Sequence, residues 1–175
     1  MNQSFKQDYY RMTGKPWNLC SYLNLLFRYD LRYLRHLRTR RGGGKVHTLF
    51  SLGFSRKYGL EILSENIGQG LYIGHAHNIN VHPYAVIGKN CNLNKGCTIG
   101  RENRGKRNGA PTLGDNVWVG TNAVVCGKIK IGSDVMIAPN SFVNFDVPDH
   151  SVVVGNPGRI FHKDYATEGY ITNTI

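Results

Sequence analysis

Aliphatic side chains recur at every sixth position along most of the C-terminal two thirds of the chain. A small residue often follows the aliphatic one. A strict period of six cannot stay on one face of an α-helix, which turns once in about 3.6 residues. It fits a coil of three short strands per turn, so the pattern predicts a mainly β protein built as a parallel β-helix. The aliphatic positions are Ile67 and Ile73; Val81, Ile87, Leu93 and Ile99; and Leu113, Val119, Val125, Ile131, Ile137 and Val143.

Two irregularities interrupt this period. The step from Ile73 to Val81 is eight residues, and the step from Ile99 to Leu113 is 14. The longer step contains an insert, residues 101–111 (RENRGKRNGAP), which is polar, basic and glycine-rich. Such a segment is expected to leave the coil as a loop, and long loops on rigid scaffolds often carry function. The hexads predict about four coils, a prism roughly 20 Å tall at about 4.8 Å per coil.

The first third of the chain has a different pattern. Residues 17–41 place apolar side chains at helical spacing among arginines, which predicts an amphipathic helix. Residues 1–58 carry 12 Lys and Arg against two Asp and Glu, whereas residues 59–175 carry ten against nine. We therefore expect a basic, partly helical N-terminal segment (1–58), a β-helix domain (59–160) and a C-terminal tail (161–175).

Two placements of the predicted helix remain open. Its apolar side can pack on the prism or a neighbouring subunit, or it can lie on an anionic membrane with its arginines toward the headgroups. Nucleic-acid binding is not predicted, because no recognition motif accompanies the charge. The apolar positions are Leu19, Tyr22, Leu23, Leu26, Tyr33, Leu34 and Leu37, interrupted by Asp30; the cationic ones are Arg28, Arg32, Arg35, Arg38, Arg40 and Arg41.

The remaining sequence features indicate in which cellular compartment the protein is expected. No apolar run approaches the roughly 18 residues of a membrane span, and the N-terminus lacks the apolar stretch of a secretory signal. We expect a cytoplasmic protein, at the inner face of the membrane if the helix binds lipid. The four cysteines have no C-x-x-C spacing and are expected to be buried free thiols. Two of them, Cys91 and Cys97, are six residues apart and should stack as small core residues.

Several hexads fall in distinctive segments: IGQGLYIGH (67–75), IGKNCNL (87–93), LGDNVWVGTNAVV (113–125), IGSDVMIAPNSFV (131–143) and VVGNPGRI (153–160). These segments resemble the left-handed β-helix, hexapeptide-repeat acyltransferases. The similarity is greatest to the serine O-acetyltransferase branch and its relatives from capsule and exopolysaccharide clusters. The resemblance implies a left-handed coil, acetyl-CoA as donor, a hydroxyl acceptor, and a homotrimer with active sites between neighbouring prisms.

His75 matches the position of the family's catalytic histidine. A hydroxyl group needs a base before it can attack a thioester, and imidazole titrates near neutral pH. The family orients this histidine with a carboxylate from the preceding coil. Glu61 is the candidate, with a spacing one residue shorter, and Glu65 is the fallback; a solvated surface position is the alternative for Glu61. His77 is expected to contact the acceptor or to support the base. These histidines and His82 do not match the family's zinc-binding spacing, so no metal is predicted.

Coenzyme A is long and polyanionic, so its site needs a groove and positive charge. The resemblance implies that the pantetheine arm lies against main-chain groups at Gly120, Thr121 and Ala138. Arg159, in the GNPGR segment, and Lys163 are expected near the phosphates, because cationic donors pair well with them. Ordinary surface charge is the alternative for both.

The insert is the remaining candidate for binding. It carries four cations, Arg101, Arg104, Lys106 and Arg107, against one acid, Glu102. We expect the loop to close over an anionic acceptor or a CoA phosphate, with Arg107 as a contact. A solvated loop is the alternative.

Three features depart from the serine branch. Gly74 stands where that branch has an aspartate, Ala110 stands where it has a second histidine, and only about 58 residues precede the repeat. The main hypothesis is therefore an acetyl-CoA-dependent O-acetyltransferase acting on a saccharide or polysaccharide precursor, without an acyl-enzyme. The first alternative is a serine O-acetyltransferase. The second, from another class, is a non-catalytic β-helix that binds a glycan or a protein.

Overall fold

The computed structural model describes residues 2–39 and 45–175, which form four α-helices followed by 15 short strands. No helix among these residues is long and apolar enough to span a membrane. The helices are α1 (Gln3–Thr13), α2 (Ser21–Phe27), α3 (Tyr29–Thr39) and α4 (Lys45–Tyr58). The strands are β1 (Leu60–Ile62), β2 (Asn66–Ile67), β3 (Tyr72–Gly74), β4 (Ile79–Val81), β5 (Val86–Ile87), β6 (Asn92–Asn94), β7 (Thr98–Gly100), β8 (Thr112–Leu113), β9 (Val117–Val119), β10 (Val124–Cys126), β11 (Lys130–Ile131), β12 (Val135–Ile137), β13 (Phe142–Val143), β14 (Ser151–Val154) and β15 (Arg159–His162).

The strands stack into the three faces of a prism. Face A is β1-β4-β7-β10-β13, face B is β2-β5-β8-β11, and face C is β3-β6-β9-β12-β14-β15. From β1 to β13, consecutive strands lie on consecutive faces, so the chain completes one coil in three strands. Every described ladder is parallel except β14 with β15. The β-helix predicted from the hexads is confirmed.

The hexad side chains point into the prism and form its core. The face C ladder aligns Ile73, Leu93, Val119, Ile137 and Val153 in successive coils, and all five are buried. Each therefore lies beside the aliphatic residue of the adjacent coil or coils. This continuous apolar column stabilises the stack through contacts between neighbouring coils.

Helices α1 and α3 close the end of the prism that carries β1, β2 and β3. The buried Asp8 carboxylate lies 2.6 Å from the Arg38 guanidinium and accepts a hydrogen bond from the Leu71 N–H (2.9 Å). Arg38 also donates to the backbone carbonyls of Ile67 (2.8 Å) and Gly68 (2.6 Å). Burial raises the pKa of Asp8, and Arg38 opposes that shift. The ion pair thus satisfies backbone groups that the first coil would leave unpaired.

Two further side chains extend this cap. Arg11, which is almost fully buried, donates to the Gly70 carbonyl (3.1 Å) and to the Asn92 side chain. The Tyr33 hydroxyl accepts a hydrogen bond from the Ile62 N–H (3.0 Å). The N-terminal segment therefore packs on the prism, which is the first of the two placements considered for it.

The prediction of a single helix over residues 17–41 is wrong in its extent. The chain is interrupted at Arg28, whose backbone is extended (φ −107°, ψ 101°), so α2 and α3 are separate helices. The Asp30 carboxylate lies 2.5 Å from the Arg28 guanidinium and accepts a backbone N–H at the start of α3. Such local bonds compete with a continuous helix. Helices α1 and α4 were not predicted, and Arg40 and Arg41 lie outside the described residues.

The C-terminal tail runs along face C from β15 back to α1. The Asp134 carboxylate accepts hydrogen bonds from the Thr167 N–H (3.0 Å) and hydroxyl (2.7 Å). Burial acts to raise the pKa of Asp134, but its hydrogen bonds, Thr167 foremost, lower it below its usual value. At the other end of the tail, the Ile175 N–H donates to the Asn90 side chain (3.1 Å). Face C is thus partly covered by the chain itself.

All four cysteines are free, but only two are buried. Cys91 and Cys97 lie in the core, and burial raises the pKa of each thiol to about 12. They therefore pack as small apolar residues, as their spacing predicted. The expectation of burial is wrong for Cys20, which is exposed just before α2, and for Cys126, which is half-buried on the outer side of β10.

We expect Arg38→Met to destabilise the fold by about 3 kcal/mol or more, because it leaves the Asp8 carboxylate buried without its partner. The free energy of unfolding in urea measures this loss. Arg35→Met, at an exposed position on the same helix, is the matched control and should change it by less than about 0.5 kcal/mol. An equal loss in both variants would mean that the buried ion pair contributes nothing specific.

Candidate active site

His75 lies at the corner where the eight-residue step widens the coil. Strand β3 ends at Gly74 and β4 begins at Ile79, so residues 75–78 turn the chain from face C to face A. The His75 backbone has φ +49°, a left-handed conformation that residues other than glycine rarely adopt. Its side chain is exposed. This corner therefore presents an imidazole to solvent at the end of the first coil.

Three of the residues predicted to bind coenzyme A lie on the same edge of the prism as His75. We call this corner between faces C and A the His75 edge. Thr121 lies two coils from His75, which is about 10 Å at 4.8 Å per coil. The structure therefore brings the predicted base and the predicted pantetheine contacts into one column. The face C register stacks the following residues on this edge: Gly74, Asn94, Gly120 and Ala138.

Arg159 also reaches the His75 edge, but Lys163 does not. Arg159 pairs with Val154 at the end of β14 that adjoins this edge, five strand spacings or about 24 Å from β3. Strand β15 runs antiparallel to β14, so it leads the chain away to the opposite side of face C. There the Lys163 N–H donates to the His150 carbonyl (2.8 Å). Both side chains are exposed.

The structure does not pair Glu61 with His75. The Glu61 carboxylate accepts hydrogen bonds from the Ser55 hydroxyl (2.6 Å) and the Asn80 side chain (3.1 Å). These bonds hold it on the outer side of face A, between α4 and β4. Within residues 2–39 and 45–175, His75 has no carboxylate at ion-pair distance, and Glu65, the fallback, is not bonded to it. A single chain therefore supplies the imidazole without the carboxylate expected to orient it.

His77 anchors the corner to the N-terminal helices. Its Nδ1 lies 3.0 Å from the Tyr29 hydroxyl, and its ring meets those of Tyr29 and Tyr58 edge-on, both at 5.5 Å. The two tyrosine rings stack on each other at 4.2 Å. Burial is the main factor that raises the pKa of Tyr29, so its hydroxyl stays protonated. The His77 ring is thus held by contacts within the chain.

The insert lies on a different edge from His75. It leaves β7 and enters β8, so it projects from the corner between faces A and B. Arg107 is exposed and pairs with Glu102 (2.9 Å), and its carbonyl accepts a hydrogen bond from the Lys128 N–H (2.8 Å). Within one chain, the width of face A separates Arg107 from His75, so the expected contact across a shared acceptor is not formed here.

Lys95 is a candidate that the sequence reading missed. Its N–H donates to the Gly74 carbonyl (2.9 Å), which puts Lys95 directly above His75 on the His75 edge. Its side chain is exposed. It is the cation closest to the base along this edge among the described residues. The coil from Ile73 to Leu93 is 20 residues long, in steps of eight, six and six. Lys95 follows His75 by the same 20 residues, so this spacing could have identified it from the sequence.

Gly74 is a packing requirement of the stack. A Cβ built on Gly74 would overlap the side-chain oxygen of Asn94, whose amide donates to the Val119 carbonyl (2.8 Å). At Gly120, a Cβ would lie 2.6 Å from the Pro139 nitrogen. A larger residue therefore clashes with the Asn94 side chain at Gly74 and with the backbone of the next coil at Gly120.

His82 takes part in a different corner. Its Nδ1 accepts a hydrogen bond from the Tyr84 N–H (3.1 Å), and its ring meets the Tyr84 ring edge-on. No group of three His, Cys, Asp or Glu side chains in the described part of the chain is arranged to hold a metal ion.

Residues 110–144 match the family model described as bacterial transferase hexapeptide (six repeats). The chain is also 42 % identical over 100 residues to the serine acetyltransferase of Staphylococcus aureus, which is 56 % of this chain and 46 % of that protein. The chain spans less than half the length of the curated relatives it matches.

Solved structures extend the similarity to most of the fold. Neisseria gonorrhoeae serine acetyltransferase in complex with serine superposes on 90 % of this chain and 66 % of its own, with a TM-score of 0.71 and 27 % identity. A serine acetyltransferase in complex with CoA covers 74 % of this chain and 53 % of its own, with a TM-score of 0.61 and 25 % identity.

We expect Gly74→Ala to lower the free energy of unfolding by about 1–3 kcal/mol, because the added Cβ overfills the space below Asn94. Urea unfolding measures the loss. Gly53→Ala in α4 is the matched control, since a Cβ there meets nothing within 4 Å and alanine favours a helix by about 0.5–1 kcal/mol. Two variants of equal stability would contradict the close packing of the His75 edge.

Proposed function

Because the chain belongs to the hexapeptide-repeat transferase family, with a left-handed β-helix and serine acetyltransferases as homologues, we propose that it is an acetyl-CoA-dependent O-acetyltransferase. The observation that carries the proposal is the His75 edge. One column of residues joins the exposed imidazole of His75 to the buried Gly120 and the half-buried Thr121 and Ala138, and it ends near the exposed Arg159. This column offers a long donor main-chain groups and, at its end, a cation.

His75 is the general base of the proposed reaction. Its imidazole takes the proton of the acceptor hydroxyl as the oxygen bonds to the thioester carbonyl carbon. Acetyl-CoA supplies that activated acetyl group. Cleavage of the carbon–sulfur bond releases the thiolate, which takes the proton from the His75 imidazolium and leaves as the thiol. The transfer is direct. Cys91 and Cys97 are buried with a raised pKa and offer no nucleophile for an acyl-enzyme.

His77 acts in this proposal as a positioning residue. Its contacts with Tyr29 and Tyr58 tie the widened corner to α3 and α4, so they limit the movement of a base that otherwise has no hydrogen-bond partner among the described residues. Preorganised geometry of this kind contributes to rate because less motion must be frozen in the transition state.

We further propose a homotrimer. Hexapeptide-repeat transferases generally form trimers, and the His75 edge is exposed in the single chain. The insert projects from the other edge of face A, so a three-fold arrangement could bring Arg107 of one prism toward the His75 edge of the next.

L-Serine is the acceptor that the comparisons favour. The relatives and solved structures described above are serine acetyltransferases, and one of them is a complex with serine. Serine offers a primary hydroxyl to the base, together with an ammonium and a carboxylate that need charged partners.

A saccharide hydroxyl is the second candidate acceptor, and one observation favours it. The serine branch carries an aspartate where this chain has Gly74, and Asn94 leaves no room for a side chain there. Ala110, where that branch has a histidine, is partly buried against the core. Two polar groups expected for an amino-acid acceptor are therefore absent, whereas a neutral sugar does not require them.

We expect His75→Asn to reduce the rate of acetyl transfer about 10²- to 10⁴-fold, because the base is lost. Asparagine tolerates the left-handed backbone of this position, so the corner should keep its shape. The initial rate of thiol release from acetyl-CoA, with circular dichroism as the check of folding, measures the effect. His82→Asn is the matched control. Near-normal turnover by His75→Asn would rule out this histidine as the base.

The acceptor is identified by the same assay with L-serine and with a panel of sugars and oligosaccharides. Serine is expected to release the thiol well above the rate of hydrolysis without acceptor. Release with a saccharide alone would establish the second candidate and reject serine. No release with any acceptor, together with no binding of acetyl-CoA, would favour the non-catalytic alternative.

A further inference from the structure

Helix α2 and Leu19, just before it, carry large apolar side chains that are mostly exposed to solvent. Leu19 and Phe27 are each 84 % exposed, Leu26 is 65 % exposed and Leu23 is 59 % exposed. Only Ser21 and Leu25 of this helix are buried. The cap of the prism is built instead by α1 and α3, so the apolar side of α2 is left for another contact.

The same surface continues across α3 to α4. A groove of about 1000 Å³ lies between these helices, and its apolar lining includes Leu49 (71 % exposed) and Phe50 (58 % exposed). Arg32 joins the two regions, because it lines the groove and donates to the Leu26 carbonyl at the end of α2 (3.3 Å). We call this continuous region the α2–α4 surface.

The α2–α4 surface carries uncompensated positive charge. Arg32, Arg35 and Lys57 line the groove, and none has a carboxylate at ion-pair distance among the described residues. The only two acids of residues 1–58 are Asp8 and Asp30, and both are already paired with arginines. The partner of this surface must therefore be apolar and negatively charged.

We propose that the α2–α4 surface binds an anionic lipid bilayer as a peripheral contact. Leucine and phenylalanine side chains enter the boundary between headgroups and acyl chains, while Arg32, Arg35 and Lys57 meet the lipid phosphates. A second copy of the chain is a poorer partner, because it would bring two cationic surfaces together.

This contact has a definite orientation relative to the prism. The helices cap the end that carries the first coil, and His75 lies at the end of that coil. Tyr58 links the α2–α4 surface to the corner that carries His75, since it lines the groove and contacts His77. The bilayer would therefore lie at the His75 end and leave the Arg159 end open to solvent. The binding itself does not depend on the proposed function.

The test is co-sedimentation of the full chain with vesicles of phosphatidylcholine alone and of phosphatidylcholine mixed with phosphatidylglycerol. We expect binding to the mixed vesicles at least about tenfold tighter than to the neutral ones, and weaker at high salt. Leu26→Glu/Phe27→Glu and Arg32→Glu/Arg35→Glu should each weaken it by about tenfold or more. All four positions are exposed, so folding should be retained, which circular dichroism checks.

Matched controls separate this surface from general charge and hydrophobicity. Phe161→Glu, at the far end of the prism, and Lys89→Glu, at an exposed corner between faces B and C, should leave vesicle binding unchanged. Equal weakening by these controls, or no preference for the anionic vesicles, would overturn the proposal. So would a smaller assembly of Leu26→Glu/Phe27→Glu in analytical ultracentrifugation with vesicle binding unchanged, because that result assigns the surface to a second copy.

Discussion

The buried ion pair between Asp8 and Arg38 closes the end of the prism on which the rest of the fold is stacked. A β-helix that simply stopped would expose the backbone groups of its first coil to water or to another chain. Here the Leu71 N–H and the carbonyls of Ile67 and Gly68 form hydrogen bonds with these two side chains. This buried ion pair is compatible with a stable fold because each ion also forms hydrogen bonds with backbone groups. The N-terminal helices are thus fixed to the coil that carries His75.

A second constraint follows from the close spacing of the coils. Side chains at equivalent positions lie about 4.8 Å apart. The side chains at the corners between faces C and A must therefore be small or must fit closely against each other. Gly74 and Gly120 meet this requirement, and Asn94 fills the space beside the former. The same regularity aligns residues far apart in sequence into one column at this edge. A site for a long donor can therefore be built from single residues of successive coils, each held rigidly by its ladder.

Those parts of the site that depend on the coil register were predictable, and those that depend on the helices were not. His75, Gly120, Thr121 and Ala138 fall on one edge because each coil, including the two lengthened by the eight- and 14-residue steps, returns the chain to the same corner. Glu61 was expected beside His75, but Ser55 of α4 holds its carboxylate elsewhere, and α4 itself was not predicted. The break between α2 and α3 coincides with local bonds of Asp30 to Arg28 and to the Leu31 N–H, which periodicity cannot reveal.

The sequence by itself determined the β-helix and the order of its faces, because each hexad contacts only its neighbours in adjacent coils. It also determined that Cys91 and Cys97 are core residues, since they share one phase of the repeat. Only the tertiary structure decided which polar groups meet: the cap of the first coil, the anchoring of His77 by Tyr29 and Tyr58, and the apolar surface left on α2. These contacts join segments with no common period, so their geometry arises only when the helices dock on the prism.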